Sequence, residues 1–311
     1  MSTSNIVIQT SKIHTLNLDS STATNYLPVC NLKWRQKNLL VESIDGDRSY
    51  SFSALTREKW LEQCLRNSWI KRVCVDRALG EKGIKLWADT CDRANMPIFI
   101  RIPSCSELPS CRQTIYWRFK RILDWFGALA LLVVFSPLML SIAGAIKLFT
   151  PGSILFAQWR VGKRGRLFKI YKFRTMAVDA EQRHDLMMVG QTGLHKLEQD
   201  PRVTTIGKWL RKFSLDELPQ LFNVLRGEMS LVGPRPWALY DALRLDQKSQ
   251  KRLNALPGIT GAWQVEGRSI LLDLDSVTKC DLEYLNSWSL LKDLKILMLT
   301  IPKVITGSNA C

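Results

Sequence analysis

From Trp125 to Ile146 the chain carries no charged residue; Asp124 and Lys147 bound the stretch. About 20 apolar residues suffice to cross a bilayer, so this segment must be seated in lipid or buried by everything around it. Ser136-Pro137 falls at its middle. A proline inside a helix removes one backbone hydrogen bond and crowds the preceding turn. The flanks are basic on both sides, with Arg112, Arg118, Lys120 and Arg121 before and Lys147, Arg160, Lys163, Arg164 and Arg166 after. A spanning helix keeps its basic flank on the cytoplasmic side. Equal flanks fit a segment that enters, breaks at Ser136 and Pro137 and returns to the same face; a kinked single span is the alternative. The backbone groups freed at the break need partners, and Ser136 can supply one.

The rest of the chain is strongly basic. Its 311 residues hold 44 Lys and Arg against 28 Asp and Glu, a formal charge of +16. An excess of that size selects an acidic partner: nucleic acid, anionic lipid or a phosphorylated substrate. With 46% hydrophobic residues the length accommodates roughly two domains with real cores. Eight cysteines are scattered without a C-x-x-C, and there are three histidines. That usage argues against a zinc site and fits a reducing compartment better than a disulfide framework. No apolar run follows Met1-Ser-Thr-Ser-Asn5, so a secretory leader is not expected.

In order, residues 1–27 read as a loosely ordered N-terminus and 28–110 as a small α/β domain. Arg72 to Asp76 predicts a strand, Gly80 to Ala94 a helix and Pro97 to Pro103 a second strand. Strand, helix, strand at this length is a parallel crossover. No glycine fingerprint follows the first strand, which points to docking or regulation rather than dinucleotide binding. Ser104 to Gln113 reads as a linker. Residues 111–311 form the second domain, entered through the apolar segment at about 117–148. Leu167 to Met176 predicts a strand beside a basic surface carrying Lys169, Lys172 and Arg174. Gly162 and Gly165, set among basic residues, give the backbone room to approach an anion. Val178 to Leu197 predicts a helix and loop whose His184 and His195 receive no role. Leu290 to Ile305 has apolar residues near helical spacing, fitting an interfacial or a core helix that Pro302 ends or kinks.

Ser214-Leu-Asp-Glu-Leu-Pro-Gln-Leu-Phe-Asn223 places two adjacent carboxylates behind a serine. Ser214 with Glu217 three residues on reads as a capping box that opens a helix. Asp216 would then lie in the first turn, where the helix dipole favours negative charge and also a bound phosphate. Pro219 sits awkwardly deep in such a helix.

Four separated stretches then occur in order: Lys172-Phe-Arg-Thr-Met176, Ser214 to Asn223, Met229-Ser-Leu-Val-Gly-Pro-Arg-Pro236 and Pro257-Gly-Ile-Thr-Gly-Ala-Trp-Gln-Val265. With the Ser136-Pro137 segment and a late Asp281-Leu-Glu-Tyr284, they resemble the bacterial sugar transferases, the monotopic polyprenyl-phosphate phosphoglycosyl transferases that initiate glycan and exopolysaccharide assembly. The resemblance runs from about Tyr116 to Ile305. It implies a mixed α/β, membrane-associated catalytic domain with an N-terminal re-entrant helical hairpin and interfacial amphipathic helices, here preceded by the small α/β domain. It implies a cytoplasm-facing enzyme of the inner membrane that moves a phospho-sugar from a nucleotide diphosphate-sugar to polyprenyl phosphate.

The resemblance also assigns residues. Asp216 and Glu217 take the catalytic positions, with Asp216 as nucleophile and both carboxylates against Mg2+. An aspartate can hold a phosphoryl group as an acyl phosphate, dividing one transfer into two. Magnesium favours carboxylate and phosphate oxygens. Arg211 and Arg235 take the phosphate-binding positions, where a guanidinium grips with paired hydrogen bonds; Lys172 and Arg174 are further phosphate or headgroup contacts. The partners implied are the nucleotide-sugar, polyprenyl phosphate and membrane lipids, with a homo-oligomer left open. Two rivals remain: a direct glycosyl transferase that releases nucleoside diphosphate, and a basic membrane- or nucleic-acid-binding protein without catalysis. No nucleic-acid-binding motif accompanies the charge, so no nucleic acid partner is expected.

Overall fold

The computed structural model describes residues 30–43, 58–101, 114–177, 180, 200–244, 249–266 and 274–306. The expected loose N-terminus, the linker and the 178–197 region apart from Ala180 lie outside them. The chain divides into two compact units, Met1–Arg101 and Ile102–Cys311.

In the first unit, β1 (Cys30–Arg35) and β2 (Asn38–Ser43) form an antiparallel pair. Helix α1 (Glu58–Arg66) leads to β3 (Arg72–Val75), α2 (Gly80–Arg93) and β4 (Ile98–Ile100). β2 pairs parallel with β3, and β3 with β4, which is the crossover expected. The two-residue period of a strand puts Leu39, Val41, Val73, Val75, Ile98 and Ile100 on one buried face. Ile84, Trp87, Ala88 and Cys91 form the matching helical stripe, all fully buried. Burial pushes the Cys91 thiol up to about 12 and Cys30 to about 11, so both are inert packing groups. None of the five described cysteines is in a disulfide.

The second unit opens with α3 (Thr114–Phe149), a 36-residue helix that contains Pro137. Two separate arms were expected here, and the helix is unbroken. The reason is visible at the proline. Pro137 has no N–H to offer the Val133 carbonyl, and the Ser136 hydroxyl donates to that carbonyl instead, at 2.8 Å. Unbroken, the helix is about 54 Å long, well beyond the ~30 Å of a bilayer core.

One stripe of α3 faces the domain along its whole length. Lys120, Asp124, Ala128, Ile142 and Ile146 are buried, and Leu132, Phe135 and Met139 are half-buried, at steps of three and four. Ala128 and Leu132 pack with Phe168, Ile170, Leu221 and Val224. Met139, Ile142 and Ile146 pack with Phe173 and Leu210 of the same domain. The outward stripe, which includes Phe126, Val133, Val134 and Leu140, is exposed.

Beneath the helix, β5 (Leu155–Val161) and β6 (Leu167–Phe173) form an antiparallel hairpin, and β8 (Trp237–Ala238) extends it beside β5. Between β6 and β8 come α4 (Thr205–Lys212), α5 (Gln220–Leu225) and β7 (Ser230–Val232). After β8 come α6 (Leu239–Arg244), β9 (Gly258–Thr260), α7 (Ala262–Glu266), α8 (Leu274–Asn286) and α9 (Leu290–Thr306). β7 and β9 pair in parallel. α9 continues past Pro302, which therefore does not end it. The turn at Gly162 to Gly165 departs from expectation: the Gly162 amide bonds to the Arg166 carbonyl and the Gly165 amide to the Gly162 carbonyl. Both donors are consumed within the turn.

Candidate active site

The site is assembled from the end of β6 and the segment after α4. Lys172, near the end of β6, places its Nζ 2.7 Å from Glu217 Oε1 and 4.0 Å from Asp216 Oδ2. Those carboxylates lie in a single 3-10 turn, Leu215–Glu217. The expected capping box does not form. Ser214 is left-handed (φ 53, ψ 22) and its side chain caps nothing. The α-helix begins only at Gln220, after Pro219, where a proline costs no interior hydrogen bond. The carboxylates thus sit in a tight turn between two helices, and Asp216 is only 8% exposed.

A buried asparagine sets that turn against the strand. Asn223 Oδ1 accepts from the Tyr171 amide at 3.2 Å, and its Nδ2 donates to the Lys169 carbonyl and to Glu228, each at 2.7 Å. The side chain bonds β6 as a neighbouring strand would, six residues beyond Glu217. Arg211 approaches from α4, its Nε donating to Thr175 Oγ1 at 3.0 Å. Burial lowers the Arg211 guanidinium, and the charges of Asp216 and Asp200 oppose that shift. Lys172 thus meets both carboxylates, and Arg211 stands close enough for the Asp216 charge to act on it.

Arg235 is held elsewhere on the same domain, its guanidinium stacked 4.2 Å from the Trp263 ring centre. Arg174 is engaged at the turn that follows α3, with the Pro151 carbonyl at 3.3 Å and Ser153 Oγ at 2.7 Å. Arg160 on β5 was legible only as one basic residue among several. It shares a sheet face with Phe168, its partner in register, and its Nη1 donates to the Pro236 carbonyl at 3.3 Å. Burial lowers its guanidinium, countered by the charges of Tyr240, Asp241 and Glu217. Arg160 thus fastens β5 to the end of the Pro-Arg-Pro turn. The signal that could have found it is its place two residues before Gly162 on the strand that pairs with the Lys172 strand.

A family model described as bacterial sugar transferase matches residues 115–307. The chain belongs to the bacterial sugar transferase family. The match opens at the second residue of α3 and takes in the dyad, the arginines and both prolines of the turn. The sugar transferase segment is 46% identical over 194 residues to the galactosyl transferase CpsE of Streptococcus agalactiae serotype III, covering 61% of this chain and 43% of the relative. It is 44% identical over 204 residues to the undecaprenyl-phosphate glucose phosphotransferase of Komagataeibacter xylinus, covering 61% and 36%. A third relative is the UDP-glucose:undecaprenyl-phosphate glucose-1-phosphate transferase of Caulobacter vibrioides, 44% identical over 200 residues, covering 61% and 71%. The chain thus spans less than half the length of the first two.

Within this sugar transferase, the Asn223 arrangement makes a direct prediction. Asn223→Ala leaves the Tyr171 amide and the Lys169 carbonyl without their partner. Each such loss costs about 1–3 kcal/mol, so urea denaturation should shift to a lower midpoint with an unchanged slope. A midpoint equal to wild type would show that Asn223 does not hold the dyad segment to β6.

Proposed function

We propose that the chain transfers a phospho-sugar from a nucleotide diphosphate-sugar to polyprenyl phosphate through a covalent intermediate on Asp216. The observation that carries this reading is the ion pairing of Lys172 with two adjacent carboxylates in one turn, with the Arg211 guanidinium close enough to feel the Asp216 charge. Cations so placed can hold phosphate oxygens while a carboxylate attacks. An Asp216 carboxylate oxygen adds to the phosphorus that bears the sugar. The bond from that phosphorus to the bridging oxygen breaks, and nucleoside monophosphate leaves with the electron pair. An oxygen of polyprenyl phosphate then attacks the same phosphorus, forming polyprenyl diphospho-sugar and returning Asp216 as a carboxylate. The atoms balance without a further reactant.

The donor set fits Mg2+. Two adjacent carboxylates are hard oxygen ligands, and this ion is commonly held by one or two carboxylates together with substrate phosphates. Among the described residues no cluster of three or more His, Cys, Asp or Glu competes as a fuller metal cage. Asp216 and Glu217 would hold the ion, which when bound supplies neutralising charge for the meeting of two anions. Lys172 and Arg211 orient the diphosphate, and Arg235 grips a phosphate from the Pro-Arg-Pro turn.

The apolar surface fits the acceptor's location. The outward stripe of α3 and the exposed Leu291, Leu294, Met298, Ile301 and Ile305 of α9 suit contact with membrane lipid. A helix with one face on its own domain from end to end is poorly suited to crossing the bilayer. That packing supports a monotopic seat on one membrane face, which we assign to the cytoplasmic side of the inner membrane, with the unbroken helix lying along the bilayer surface in place of a hairpin. The donor glucose named for the Caulobacter relative makes UDP-glucose the first probe.

Asp216→Asn should remain folded yet lose nucleoside monophosphate release by about three orders of magnitude or more across a panel of nucleotide-sugars. Glu217→Gln should be impaired as well. A folded Asp216→Asn protein with wild-type release would remove the nucleophile assignment. For the membrane segment, cysteines introduced at Ile115 and Leu155, in a background without native cysteines, should label from the same side. Labelling from opposite sides would establish a span.

A further inference from the structure

The Gly233–Pro236 turn has two prolines and therefore only two backbone N–H groups. The Gly233 amide donates to the Thr260 carbonyl at 2.9 Å, and the Arg235 amide to Asp281 Oδ2 at 3.3 Å. The Pro234 carbonyl accepts from Gly258 at 2.9 Å, the Arg235 carbonyl from Arg252 Nη2 at 2.6 Å, and the Pro236 carbonyl from Arg160. Arg252 Nη2 also donates to Asp281 Oδ2. A closed circuit results: the Arg235 amide to Asp281, Asp281 to Arg252, and Arg252 back to the Arg235 carbonyl. Both peptide groups of one residue are held by one buried ion pair, whose members come from the Ser249–Asn254 3-10 stretch and from α8.

That pair is a poor stabiliser of the fold. Both side chains are 1% exposed. Burial pushes the Asp281 carboxyl up to about 6 and depresses the Arg252 guanidinium to about 10. Asp281 Oδ1 and Arg252 Nε and Nη1 are buried without a hydrogen-bond partner among the described residues. A buried pair so incompletely bonded is matched or bettered by apolar side chains of the same size, so its presence calls for a role besides stability. The Arg252 guanidinium is itself fixed, 4.4 Å from the Trp237 ring centre.

We propose that Arg252 and Asp281 are positioning residues for Arg235: they lock its backbone from beneath so that the guanidinium, seated on Trp263, meets the donor's phosphate in one orientation. The proposal rests on Arg235 being the phosphate-gripping residue of the reaction proposed above. Neither Arg252 nor Asp281 touches substrate in this account. Their effect passes through Arg235, where a misplacement of about 1 Å costs on the order of 100-fold.

The test uses the full chain with UDP-glucose and other nucleotide-sugars as donors, reading monophosphate release, thermal melting and amide exchange. Arg252→Met with Asp281→Leu should remain folded while kcat/KM falls about 10–100-fold. Hydrogen exchange at Arg235, the single amide between Pro234 and Pro236, should quicken at least about tenfold once its acceptor is gone. Asp281→Asn, a milder change, should lower kcat/KM in wild-type Arg235 but add nothing to Arg235→Ala. A purely structural pair would instead multiply its loss onto that of Arg235→Ala, which would overturn the proposal. So would wild-type exchange at Arg235 in the double replacement. A wild-type chain that releases no monophosphate from any donor marks failure of the functional reading alone, because the exchange measurement still decides the clamp.

Discussion

Along α3, an apolar helix gives one face to its own domain and leaves the other uncovered. The contact is fastened by buried charge as well as by packing. Lys120 Nζ lies 2.6 Å from Asp293 Oδ2, and Asp124 accepts from Ser230 Oγ at 2.7 Å and from the Leu231 amide at 3.1 Å. Tyr284 and Trp288 also donate to Asp293. Breaking one partner of such a network strands a buried charge, at a cost of about 3–5 kcal/mol. The helix is therefore committed to the domain. Ser230 and Leu231 belong to β7, and the Gly233–Pro236 turn follows that strand directly. The apolar seat and the turn that presents Arg235 are parts of one continuous piece of structure.

The same economy of space explains the glycines around that turn. A Cβ on Gly258 would collide with the Gly233 backbone, and one on Gly233 with Leu256 and Gly258. Only glycine lets the start of the Pro-Arg-Pro turn and the start of β9 lie this close, and the amide-to-carbonyl contacts between them depend on that approach. At the carboxylates, Asn223 performs the equivalent service by bonding β6. The dyad turn and the Pro-Arg-Pro turn are thus held by separate parts of the chain, and Arg160 bonds the second of them.

Much of this was legible because it is local. The strand, helix and strand from Arg72 to Ile100 follow from period and from turn residues, and so does β6. Pro137 and Ser136 announced both a lost hydrogen bond and its substitute, although the helix was not interrupted. The dyad and its nearest cations were found through short motifs, each a contiguous run. What stayed hidden depends on tertiary contacts or on backbone strain. Ser214 with Glu217 satisfies the pattern of a capping box, yet α4 must reverse into the dyad turn, and the left-handed Ser214 accomplishes that reversal. Gly162 and Gly165 looked available to an anion because sequence does not show that their amides close on the same turn. Arg252 lies 17 residues from the carbonyl it holds, with no local pattern to mark it.

The central claim is that Asp216 itself carries the phospho-sugar between donor and acceptor, and intact-mass analysis tests it most directly. Full-length protein incubated with a nucleotide-sugar donor, with no polyprenyl phosphate present, should gain the mass of one phospho-sugar. Fragmentation should place that mass on Asp216, and adding the lipid acceptor should discharge it. Complete turnover with acceptor, but no adduct at any time and no monophosphate release before acceptor is added, would contradict the account and require direct transfer between the two substrates.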